Sequence, residues 1–201
     1  SQKEILNLLS KIHEEISGIK IGLQYITRHS SKEIKELSKF NKPIFYDGKF
    51  FDIKNTLVES IKSLKNLKIT YATVHLLNGA DALKAANEAA NDIDIKLLGV
   101  SVLTSFGDEE LEKLGFKNHV NEQVLRLIKI AAEANLYGVI CSPLEVSMIK
   151  KVAPNLKCFT PGIRQNENKN DQKRTMNAKQ ALEAGSDCLI IGRPITKGDP
   201  K

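Results

Sequence analysis

The chain has 201 residues, and 30 Lys plus Arg against 24 Asp plus Glu leave a formal net charge of +6. Hydrophobic residues at 41% and charged residues at 27% exclude general disorder, and 12 Gly with 6 Pro exclude a collagen-like or low-complexity chain. No apolar run reaches the length of a membrane span, and the opening SQKEILNLLSKIHEE is too charged for a signal peptide. Cys141, Cys158 and Cys188 are odd in number, far apart and set in apolar runs, which predicts reduced thiols in a cytoplasmic protein. The lysines are scattered, as in KEIKELSKF and ESIKSLKNLK, and aromatics are only 5%, so nucleic acid is not the expected partner. An anionic small substrate fits the charge equally well.

In chain order, short apolar runs alternate with amphipathic segments. The runs are IKIGL (19–23), IFYD (44–47), ITYATVHLL (69–77), IKLLGVSVLT (95–104), YGVICS (137–142), LKCFTPG (156–162) and DCLIIGR (187–193). All are rich in Val, Ile and Leu without clean polar alternation, as strands buried on both faces require. Helical spacing marks ILNLLSKIHEEI, TLVESIKSL, ADALKAANEAA and VNEQVLRLIKIAAEA. Strand-then-helix repetition predicts parallel strands with right-handed crossovers in one domain over residues 1–201. An open doubly wound sheet and a closed (β/α)8 TIM barrel both satisfy this order. Polar or glycine-bearing residues end most runs: Asp47, His75, Thr104, Ser142, Pro161–Gly162 and Gly192–Arg193. A barrel gathers all those ends around one mouth, which favours it. Only seven runs are present, so a first strand before Ser1 and a last helix after Lys201 are expected to be missing from the chain.

Two clusters carry chemistry. The first runs from Tyr46 to Thr56 (YDGKFFDIKNT). Asp47 and Lys49 stand two apart at a strand end and so face one side, a carboxylate beside an ammonium in a partly desolvated place. An ion pair at a strand end is the ordinary role for such residues, and a helix N-cap is the ordinary role for Asp52. Lys20, on the preceding strand, can point at the same mouth. The second cluster is FTPGIR (159–164), a polar stretch from Gln165 to Arg174, and IGRP (191–194). Glycines that let backbone amides approach, with arginines for bidentate contacts, suit a phosphate, and the polar stretch suits a lid. His13, His29, His75 and His119 lack metal-ligand spacing, and Ser142 lacks the G-x-S-x-G context of a nucleophile. His75 at a strand end is expected to be a hydrogen-bonded structural residue. The run Asp108-Glu109-Glu110 is expected to open a helix, where acidic residues favour the dipole.

At these clusters the sequence resembles the orotidine 5′-phosphate decarboxylase family, through IKIGL, YDGKFFDIKNT, TVHLLNGADAL, SVLTS, GVICSPLE, FTPGIR with DQKR, and LIIGRPIT. The resemblance implies a (β/α)8 barrel, a homodimer with sites at its interface, and decarboxylation of orotidine 5′-phosphate to uridine 5′-phosphate without metal or cofactor. It implies that Lys49 protonates pyrimidine carbon 6, that Asp47 lies beside the departing carboxylate, and that Lys20 contacts the ribose. Asp52, with Ile53 and Thr56, would reach into the neighbouring subunit's site. Thr104 and Ser142 would line the nucleoside pocket, with Ser142 at the pyrimidine edge, Pro161 would bind substrate, and Arg164, Gln172, Gly192 and Arg193 would hold the phosphate, with 164–174 closing over it. The chain departs from the family in an asparagine-rich lid and in lacking the first strand, whose terminal aspartate contacts the ribose. The alternatives are a magnesium-dependent sugar-phosphate decarboxylase or hexulose-phosphate synthase sharing the Asp-x-Lys-x-x-Asp core, and a non-catalytic barrel that binds pyrimidine nucleotides.

Overall fold

The structure, a computed structural model, describes residues 1–164 and 174–198. Helix α1 (Gln2–Ile12) leads to β1 (Ile19–Gly22), then short α2 (Leu23–Ile26) and α3 (Ser31–Glu36) precede β2 (Ile44–Phe50). Next come α4 (Lys54–Lys62), β3 (Tyr71–His75), α5 (Ala80–Asn91), β4 (Lys96–Val100), α6 (Asp108–Lys113) and α7 (Val120–Glu133). The chain continues through β5 (Gly138–Ile140), α8 (Val146–Val152), β6 (Lys157–Thr160), α9 (Ala178–Glu183), β7 (Cys188–Leu189) and α10 (Arg193–Thr196). Among the described residues there are seven strands, all parallel and ordered β1 to β7 in sequence, as a crossover from each strand to its neighbour requires. This is the α/β architecture expected of a (β/α)8 barrel, and among the described residues β1 and β7 each pair with one neighbour. No helix among the described residues is long and apolar enough to cross a membrane.

Period-2 alternation sorts the strand residues into two cores. Ile44, Leu97 and Cys158 pack outward beneath the helices with Leu57, Ile61, Leu83, Ile128 and Ile149, all of them nearly or wholly buried. The next residue on each strand, Phe45, Leu98 and Phe159, points to the other face, where Tyr71, Tyr137, Cys188 and Ile190 pack around them. That second cluster floors the barrel interior. Edge-to-face contacts join Phe45 to Phe159 and to Tyr71, with ring centroids 6.1 and 6.4 Å apart. Lys96 lies over the Tyr137 ring at 4.7 Å and helps close the lower end.

Several elements differ from the sequence expectation at their ends. The run expected to end at Asp47 continues as β2 to Phe50, because a bulge carries the strand past its own turn. The run expected to reach Thr104 leaves the sheet after Val100, and β7 is only two residues long. Helix α6 does begin at Asp108. The Asp108 carboxylate, however, accepts from the Val120 amide at 2.7 Å and meets His119 at 2.9 Å, so it also fastens the start of α7.

Candidate active site

Two residues above the aromatic floor, on the same face of each strand, stand the groups that line a cavity of about 230 Å³. Phe45 is followed by Asp47 and Lys49, Leu98 by Val100, Phe159 by Pro161, and Cys188 by Ile190. Lys20 from β1, Val102 to Thr104 after β4, and Ile140 and Cys141 from β5 complete the wall. Five residues singled out in the sequence, Lys20, Asp47, Lys49, Thr104 and Pro161, therefore meet at one place. It is the C-terminal end of a parallel sheet, where barrels of this class carry their chemistry.

The cavity's charged corner is built on a fault in the sheet. Tyr46 pairs with Ala72 and Phe50 with Val74, so four residue steps on β2 answer two on β3. The excess is taken up at Asp47-Gly48-Lys49, where Lys49 adopts a left-handed conformation with φ of 49°. Gly48 leaves room here for the Tyr46 ring. A Cβ at this position would lie 2.8 Å from Cε1 of Tyr46, whose ring stacks on Phe50 at 5.7 Å.

The Asp47 carboxylate accepts from Lys20 Nζ on Oδ2 at 2.7 Å and from Lys49 Nζ on Oδ1 at 2.8 Å. Thr73, wholly buried on β3, donates its hydroxyl to Oδ1 at 3.2 Å and accepts the Lys49 amide at 2.8 Å. Burial pushes the Asp47 carboxyl up, but the Lys20 and Lys49 charges and their hydrogen bonds outweigh it, and its pKa lies below the ordinary 3.8. Its side chain is 11% exposed, against 33% for Lys20 and 34% for Lys49, so a shielded anion holds two cations at the rim of a cavity. His75, at the end of β3, accepts from the Leu77 amide through Nδ1 at 3.3 Å, the structural role expected of it. Burial, and then the Lys49 charge, hold its pKa below the usual value, so it is neutral at pH 7.

The other anticipated residues fall into three groups. Asp52, Ile53 and Thr56 are exposed and do not line this cavity. Asp52 is not the N-cap of α4, which begins at Lys54 with Ile53 at the cap. Its carboxylate instead accepts from the next amide, that of Ile53, at 2.7 Å, while its own amide donates to Asn78 Oδ1 at 3.1 Å. Ser142 is buried just behind the wall, with its hydroxyl accepting from Leu144 and donating to the Arg174 carbonyl. Arg164 is part-buried, and its backbone amide donates to the Met176 carbonyl at 3.0 Å. Gly192 caps α10 with open space where a side chain would stand, and Arg193 is that helix's first residue. Gln172, expected at the phosphate, lies outside the described residues, as does most of the expected lid 164–174.

Sequence reasoning missed Thr73, Asn78 and the pair Glu145–Arg174. Asn78 donates to the carbonyls of Phe50 and His75 at 3.0 and 2.7 Å and so ties the Asp52 segment to β3. The part-buried Arg174 pairs with Glu145 and donates to the carbonyls of Val102 and Leu103, bracing the wall that carries Thr104. Neither Thr73 in an apolar run nor Arg174 at the end of a polar one announces these contacts in sequence.

This arrangement agrees with what the chain is similar to. The sequence model of the Orotidine 5′-phosphate decarboxylase / HUMPS family matches residues 1–201. The chain belongs to that family. It is 37% identical over 195 residues to the orotidine 5′-phosphate decarboxylase of Wolbachia pipientis subsp. Culex pipiens (strain wPip), covering 96% of this chain and 86% of that protein. To the orotidine 5′-phosphate decarboxylase of Ehrlichia canis (strain Jake) it is 39% identical over 197 residues, 97% and 86% of the two chains. The crystal structure of the orotidine 5′-phosphate decarboxylase from Lactobacillus acidophilus superposes with a TM-score of 0.82 at 33% identity, over 96% of this chain and 88% of that one. An uncharacterized conserved protein from Geobacillus kaustophilus shares the fold, with a TM-score of 0.85 at 24% identity over 99% and 89% of the chains. Membership carries with it the (β/α)8 TIM barrel.

Proposed function

We propose that this chain decarboxylates orotidine 5′-phosphate to uridine 5′-phosphate. The observation that carries the reading is the Lys20–Asp47–Lys49 array, one carboxylate holding two ammonium groups by separate oxygens at the rim of the cavity. Carbon 6 of the pyrimidine has no conjugated electron sink. When its bond to the carboxylate breaks, carbon dioxide leaves and the electron pair stays on carbon 6. A fixed ammonium in a site emptied of water stabilises that pair and then gives it a proton. Lys49 is the donor in this scheme and regains its proton from solvent. Asp47 holds Lys49 in place beside the departing carboxylate, and Lys20 contacts the ribose. Thr104 and Ser142 border the nucleoside, Pro161 contacts substrate, and Arg164, Gly192 and Arg193 grip the phosphate together with Gln172.

Asp52, Ile53 and Thr56 are assigned to the neighbouring subunit's site. In support, they stay outside this chain's own cavity, and the apolar Phe51 and Ile53 beside Asp52 are 62% and 74% exposed. A homodimer covers them and brings Asp52 to the partner's cavity.

The test is the ultraviolet absorbance of orotidine 5′-phosphate mixed with the protein in excess chelator, with Lys49→Ala in parallel. Loss of the orotate band with the wild type alone is expected. Activity abolished by the chelator and restored by magnesium points to the metal-dependent sugar-phosphate chemistry of the same family. Tight uridine 5′-phosphate binding with no turnover would mark a nucleotide-binding barrel instead.

A further inference from the structure

The substrate-facing groups do not explain how Lys49 keeps its geometry. Its side chain is long, its backbone is in a left-handed conformation rare for a residue with a side chain, and it sits where β2 has lost its register with β3. A hydrogen-bonded ring meets that need. It runs from the Lys49 amide to Thr73 Oγ1 at 2.8 Å, from Thr73 Oγ1 to Asp47 Oδ1 at 3.2 Å, and from Asp47 Oδ1 back to Lys49 Nζ at 2.8 Å.

A threonine hydroxyl has one hydrogen. With the Lys49 amide donating to the oxygen, the hydrogen is left to point at Asp47, so the two contacts fix each other. We propose that Thr73 is a positioning residue for the decarboxylation, its single hydroxyl setting the backbone of Lys49 and the carboxylate of Asp47 in one frame. The assignment rests on the reaction proposed above. Thr73 is wholly buried and does not line the cavity, so it acts through Asp47 and Lys49 and not on substrate.

The charged groups around Asp47 are Lys20 from β1 and Lys49 from β2; His75 at the end of β3 is the other titratable group near Lys49. None of them supplies what Thr73 supplies, a neutral donor to Oδ1 that also accepts from the bulge.

Thr73→Val keeps the shape and the branch at Cβ and removes only the hydroxyl. We expect kcat to fall about tenfold to a hundredfold with KM nearly unchanged, since displacing a reacting group by about 1 Å is enough for such a loss. Carboxyl carbon NMR of Asp47 should show its titration midpoint moved up, because a donor to the charged form is gone. Thr73→Ser should restore both. If Thr73→Val does not fold, Thr73→Cys, with a weak donor of similar size, takes its place with the same expectations. A variant that melts earlier yet keeps wild-type kcat and Asp47 midpoint would reduce Thr73 to a packing residue and overturn the proposal, as would failure of Thr73→Ser to restore them. The NMR titration needs no substrate. It therefore judges Thr73 even if the wild type proves inert toward orotidine 5′-phosphate, a result that counts against the reaction alone.

Discussion

Asp47 Oδ1 lies 2.8 Å from Lys49 Nζ although the two residues are separated only by Gly48, and Oδ2 of the same carboxylate lies 2.7 Å from Lys20 Nζ. One buried anion thus sets the position of two cations on neighbouring strands. Asp47→Asn leaves those cations with no charge between them. Turnover should fall about a hundredfold, as expected when a reacting group is released from its frame.

The same substitution has a signature in stability. The folded Asp47 pKa lies below 3.8, so the unfolded chain binds its proton more readily. The stabilisation from this group is complete above the unfolded value, near pH 4, and is lost as pH falls through the lower folded value. Melting curves of wild type and Asp47→Asn from pH 6 down to pH 2 should run at a constant separation in the upper part of that range. Below about pH 4 they should converge. A separation that stays constant to the lowest pH contradicts the assignment.

Gly48→Ala places a methyl 2.8 Å from the Tyr46 ring at its Cε1. Either the Tyr46–Phe50 stack moves or the bulge does, and the bulge carries Lys49. Loss of about 1–3 kcal/mol in urea unfolding is expected, the range for forcing extra volume into packed surroundings, together with reduced kcat. Unchanged stability and kcat would show that the ring yields freely.

Mixing subunits separates action in the same chain from action across the dimer. If Asp52 serves the partner's cavity, Lys49→Ala and Asp52→Ala proteins are each inactive, and their heterodimer has one site with both groups intact. Equal mixing with free exchange gives half heterodimers, so about a quarter of wild-type activity should return. No recovery, with exchange verified by mass, places Asp52 in its own subunit's site.

Arg174→Ala strands the Glu145 carboxylate, which is only 1% exposed, beside the wall that carries Thr104. Destabilisation of about 3–5 kcal/mol is expected from leaving a buried charge without its partner. Arg174→Met with Glu145→Gln should recover much of it, which chemical denaturation would show directly.

Arg193, the first residue of α10 beside the open Gly192, is expected to act at a distance from carbon 6. Interactions with the non-reacting phosphate that drive closure appear in the rate, so Arg193→Ala should lower kcat as well as raise KM. Unchanged turnover at saturating substrate argues that the phosphate only anchors the nucleotide.

The sequence by itself determined the alternation of strands and helices, the single parallel sheet and the cluster from Tyr46 to Thr56, because buried parallel strands and amphipathic helices write distinct periodicities into a chain. It also placed Asp47, Lys49, Thr104 and Pro161 at the ends of apolar runs that a barrel brings together, and Lys20 on a strand that can point at the same mouth. Strand limits were harder to read. β2 runs three residues beyond Asp47, since a bulge has no period and is fixed by its neighbour's register. The tertiary structure alone decided which groups hold the site in shape. Thr73, Asn78 and Arg174 each bond a partner far along the chain, 24, 26 and 71 positions away for Lys49, Asp52 and Leu103, and bonds of that reach leave no local trace in composition or spacing. It also decided that Asp52 faces outward one residue ahead of the α4 cap, because α4 starts only after the segment that Asn78 ties to β3.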